Sequence, residues 1–128
     1  MSYYIAKNVD MSFDEAIQKT TEELKKVGFG VLTEIDVKET LKKKIDVDFR
    51  KYKILGACNP QFAYKALSAE DKIGVLLPCN VIVQETTEGK VEVAIMNPAE
   101  AMSVVKNEGL GPIAGEVNEL LETALNNI

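Results

Sequence analysis

Cys58, Asn59 and Pro60 end one apolar run, "YKILGACNP", and Pro78, Cys79 and Asn80 interrupt another, "GVLLPCNVIV". A deprotonated thiol can be a nucleophile, a metal ligand or a redox group. An asparagine beside it offers both donors and acceptors to a ligand. Pro60 is placed to open a helix, whose positive end would lower the pKa of the Cys58 thiol. Pro78 cannot donate to a strand ladder, and ladder breaks often border binding sites. Cys79 is therefore expected to be the more accessible thiol, and Cys58, ending a central strand, the more enclosed.

Each of these residues also has a plain structural use. Asn59 before Pro60, and Asn97 before Pro98, are well placed as helix N-caps. A free cysteine packs readily as a small apolar residue. Asn80 precedes Val81 rather than a proline, so capping does not account for it. Cys58, Asn59, Pro78, Cys79, Asn80 and Asn97 form the candidate ligand-binding set. No catalytic or metal-ligating set is expected.

The chain has no histidine. This removes Ser-His and Cys-His nucleophile pairs and histidine-based zinc sites within one chain. A thiol nucleophile would need another activator, such as Lys65 or a helix N-terminus. Two thiolates supply half of a zinc shell, leaving Glu85 or a second chain to complete it, while the Met96 thioether would suit Cu(I). No cofactor is expected.

At 128 residues the chain fits one domain, 1–128, and with 46% hydrophobic residues it can bury a core without staples. A formal charge of −5 disfavours a nucleic-acid partner. The apolar run around residues 73–83 is too short and interrupted for a membrane span. The start, "MSYYIAKNVD", lacks the pattern of a secretory signal. The cytoplasm is the expected location, where two cysteines stay reduced.

The elements that must position the two Cys-Asn pairs follow from local patterns. Residues 3–7 read as a strand. Ser12 and Glu15 form a capping box, with Phe13, Ile17, Thr20, Leu24 and Val27 at helical spacing and Gly28 as the stop. Phe29, Val31, Thr33, Ile35 and Val37 alternate along a second strand, and the strand-helix-strand order predicts a right-handed βαβ crossover. Leu41 and Ile45 face inward from a short helix whose outer face carries Lys42, Lys43 and Lys44. "YKILGAC" is a strand, followed by the Pro60 helix. Residues 73–85 read as one bent strand, joined by "TTEG" to "KVEVAIMN". Pro98 and Pro112 each open a further helix, the last with Ile113, Val117, Leu120, Ala124 and Ile128 inward. "GLGP" reads as a tight turn, and Glu22, Glu23, Glu119 and Glu122 as solvated charges. The sum is one α/β domain, a mixed sheet with helices on one face.

"GFGVLTEIDV", "YKILGACNPQFAYKAL", "IGVLLPCNVIVQE" and "VAIMNP", in that order, resemble the domain of unknown function 302 family across nearly the whole chain. The resemblance implies a TBP-like α/β fold with a curved mixed sheet, and a homodimer. It implies no activity. Three functions fit: a small-ligand-binding module, in which a homodimer forms a pocket between sheets; a thiol- or metal-dependent role at Cys58 and Cys79; and a structural or interaction dimer. The first is preferred, because no catalytic constellation is present.

Overall fold

The computed structural model describes residues 2–128. The chain opens with strand β1 (Tyr4–Val9) and helix α1 (Phe13–Lys26). The Ser12 hydroxyl accepts from the Glu15 amide while the Glu15 carboxylate accepts from the Ser12 amide, closing the capping box. Gly28, with φ +88°, supplies the left-handed turn that ends the helix. Strand β2 (Gly30–Asp36) and helix α2 (Val37–Ile45) follow, then β3 (Tyr52–Cys58), α3 (Pro60–Ala69), β4 (Cys79–Glu85), β5 (Val91–Met96), α4 (Pro98–Ala101) and α5 (Leu110–Asn126).

The strands form one five-stranded sheet in the order β1-β5-β4-β3-β2, and every neighbouring pair is antiparallel. The α/β reading holds, but the sheet is antiparallel rather than mixed. β1 and β2 do run in the same direction, as a crossover requires. They stand at opposite edges, because β5, β4 and β3 pair between them.

Helices α1 and α5 cover one face. Ala16 and Leu24 from α1 and Val117, Leu121, Ala124 and Leu125 from α5 pack on Leu55, Ala57, Val81, Val83, Val93 and Ile95. Removing this contiguous apolar surface from water is the main stabilising contribution to the fold. A satellite cluster of Ala66, Ile73 and Leu110 joins α3 to the start of α5.

Several local expectations shift. Residues 71–76 form a 3₁₀ segment, and ladder pairing begins only after Pro78, so residues 73–85 are not one strand. Ile73 is buried, but in the satellite cluster. A bulge between Val31 and Thr33 breaks the alternation of β2. Val31 pairs with Ala57 on the covered side, whereas Thr33 and Ile35 pair with Gly56 and Ile54 on the other. Helix α5 begins at Leu110, two residues before Pro112; its buried stripe is Leu110, Ala114, Val117, Leu121, Ala124 and Leu125, with Ile113, Leu120 and Ile128 packed partly buried beside the core. Ile45 is mostly exposed, and α2 buries no residue. Lys42 pairs with Asp46 and Asp48, consistent with a solvated lysine face. Glu23 is not a solvated charge: it is 4% exposed, held between Lys19 and Lys26.

Candidate functional site

Two concavities flank the sheet, one on each side. The first gathers most of the residues singled out in the sequence. Asn59 caps α3, its Oδ1 accepting from the Gln61 and Phe62 amides, and Pro60 fills the first helical position. This turns α3 back over the end of β3. Ala57 and Cys58 from β3, Leu77, Pro78 and Cys79 at the start of β4, Asn59, Phe62, Ala63 and Ala66 around α3, and the first turns of α5 enclose a cavity of about 40 Å³. That is room for no more than a few water-sized groups.

Cys58, Asn59, Pro78 and Cys79 therefore converge, while Asn80 and Asn97 stand apart from this cavity. Asn97 caps α4, its Oδ1 accepting from the Glu100 amide. Asn80 lies on the opposite side of the sheet. The expected order of accessibility is reversed: Cys79 is buried and Cys58 is partly exposed. The reason is parity. Cys79 pairs with Ala57 and shares the covered face with Val81 and Val83, so its thiol turns beneath the helices. Burial pushes that thiol up to about 11, with the neighbouring Cys58 adding to the shift. At neutral pH it is a protonated, poorly nucleophilic group. Glu85 ends β4 six positions from Cys79, and Met96 lines the opposite concavity, so neither joins the thiols. Among the described residues, no three acidic or cysteine side chains gather as a metal site.

The second concavity lies on the face that α1 and α5 leave bare. Its volume is about 500 Å³, within the range of small-molecule sites. Tyr3, Tyr4 and Tyr52 stand around it, and Asn80, Gln84 and Glu92 supply polar groups. Arg50 Nε donates to Gln84 Oε1 at 2.9 Å, and Gln84 Nε2 donates to Glu92 Oε1 at 2.9 Å. Tyr3 and Tyr4 meet edge to face with centroids 5.0 Å apart. Burial raises the Tyr52 phenol above its usual value; Arg50 opposes this, and Tyr3 and Glu92 add to it.

Of these residues only Asn80 belongs to the candidate set expected from the sequence. The signal for the others was the alternation of Gln84 and Glu92 against the valines of β4 and β5. It becomes a site only once the "TTEG" hairpin register places those two residues opposite each other and β3 adds Tyr52 beside them. No helix of the described residues is long and apolar enough to cross a membrane.

Residues 5–128 match the model of a family described as a domain of unknown function, DUF302. The chain is also similar to the crystal structure of an uncharacterized conserved protein DUF302 from Bacillus stearothermophilus. The two are 29% identical with a TM-score of 0.92, covering 99% of this chain and 98% of that one. No curated protein matches the chain.

Proposed function

The chain belongs to the DUF302 family, and on that premise we propose that it is a small-ligand-binding module whose ligand occupies the bare face of the sheet. One observation carries this reading: a groove of about 500 Å³ in which three tyrosines surround convergent polar side chains. The thiol cavity on the other side, at about 40 Å³, is too small for a metabolite. Binding is preferred to catalysis because the chain has no histidine and its buried thiol stays protonated.

The proposal includes a homodimer in the cytoplasm, where both free cysteines remain reduced. Exposed apolar side chains support a second copy: Tyr64 and Leu67 on α3, and Val75 close by in the 3₁₀ segment. A standard interface of about 800 Å² per subunit would cover such a patch.

Native mass spectrometry of the purified protein, followed by a thermal-shift screen of metabolites, tests both parts. A mass twice 14.1 kDa is expected, together with stabilisation by at least one compound that Tyr52→Ala abolishes. A monomer mass at micromolar concentration removes the dimer. A screen in which nothing stabilises the protein, or in which Tyr52→Ala changes nothing, removes the ligand site.

A further inference from the structure

Resting on the reading of the bare face as a ligand site, we propose that its ligand is a small organic cation, an alkyl- or methylammonium group seated between the tyrosine rings beside Glu92. The register builds the place for it. Asn8, Glu92, Gln84 and Tyr52 stand directly opposite one another in successive strands, making a polar row across the sheet. The next row on the same face is Ala6, Ala94, Ile82 and Ile54, whose two alanines leave a low floor. Beyond it Tyr4 pairs with Met96. Tyr52 and the Tyr3–Tyr4 pair thus approach the alanine floor from opposite ends. Tyr3, Tyr52 and Glu92 all line this one groove.

Charge then selects the ligand. Glu92 accepts one hydrogen bond from Gln84 and joins no ion pair among the described residues. A carboxylate can accept about four hydrogen bonds. The lining itself includes no lysine or arginine; the nearest cation, Arg50, stands at the Tyr52 end, away from the Tyr3–Tyr4 end of the groove. A neutral apolar ligand would strip water from this carboxylate and give nothing back, which is costly. An anion would meet it as a like charge. A cation pairs with Glu92 and gains further from the electron-rich faces of the tyrosines. Beside the groove the Arg50 guanidinium lies 4.4 Å from the Phe49 centroid and 5.6 Å from that of Tyr52, an aromatic-cation contact at the Tyr52 end. Its Nε is committed to Gln84.

The test is a titration of the full-length, isotopically labelled protein followed by nuclear magnetic resonance. The probes are choline chloride, butylammonium chloride, sodium butyrate and 3,3-dimethyl-1-butanol, the neutral carbon counterpart of choline. Choline or butylammonium should shift the amides of Tyr52, Ile82 and Ala94. It should bind roughly tenfold more tightly than the alcohol, the scale of a desolvated cation contact. Glu92→Gln and Tyr3→Ala should each remove most of that preference without lowering the melting temperature, since both side chains sit at the surface of the groove. If the alcohol or butyrate binds as well as choline, or Glu92→Gln binds choline unchanged, the cation assignment falls while the ligand site stands. If no probe shifts these amides, the cation assignment falls, and the metabolite screen separately decides the ligand site.

Discussion

Ala57 and Cys79 stand directly opposite each other in the β3–β4 ladder, which turns the Cys79 thiol under the helices. Cys58, one residue on from Ala57, pairs with Gly30 and keeps part of its surface in solvent. With the Cys79 thiol pushed up to about 11, about one molecule in a thousand carries its thiolate at pH 8. Iodoacetamide should therefore modify Cys58 first in the native protein, and Cys79 only on unfolding. Mass mapping of a time course decides this, and equal rates at the two positions would sink it.

The same thiol makes stability depend on alkaline pH. Its folded pKa is raised from an ordinary 9.0 to about 11, so the fold favours the neutral form. The contribution is fully present below pH 9.0 and is lost as pH rises towards about 11. A shift of this size sets an upper scale of about 3 kcal/mol. Urea unfolding of the wild type and of Cys79→Ala at several pH values across that window should show a steeper loss for the wild type. Parallel curves would remove the assignment.

Glu23 gives the opposite sign at acid pH. Hydrogen bonds from Lys19 at 2.8 Å and Lys26 at 2.9 Å hold its carboxyl below the usual 4.5. A depressed folded pKa contributes stability above the unfolded value and loses it as pH falls through the folded one. The melting temperature of Glu23→Gln should therefore decline less between about pH 5 and pH 3 than that of the wild type. A decline of equal size in both proteins contradicts the pairing.

Gly56 on β3 pairs with Thr33 of β2 on one side and with Asn80 of β4 on the other. A Cβ there would overlap Thr33 Oγ1 and sit 2.8 Å from Pro78 Cγ. Gly56→Ala should lower stability by about 1–3 kcal/mol, the usual range for an overpacked site. Adding Thr33→Ala removes one of the two obstacles and should recover part of the loss. The double variant being no more stable than the single one would show that Thr33 is not the obstacle.

The sequence by itself determined the elements whose signals lie within about four residues of one another. The Ser12–Glu15 capping box, the Asn59-Pro60 and Asn97-Pro98 helix starts, the "TTEG" turn and the valine alternation of β4 and β5 all act locally. Each appears in the fold where the residues indicate. The four motifs likewise sufficed to place the chain in its family. Tertiary structure alone decided the strand order, because the local strand-helix-strand pattern does not say that β3, β4 and β5 pair between β1 and β2. It also decided the burial of Glu23 and of Cys79, since which face of a helix or strand is covered depends on a partner far along the chain. The candidate groove belongs to the same class. Tyr4, Tyr52, Gln84 and Glu92 span nearly ninety positions, and only antiparallel register, with its strict alternation of faces, brings them to one side of one sheet.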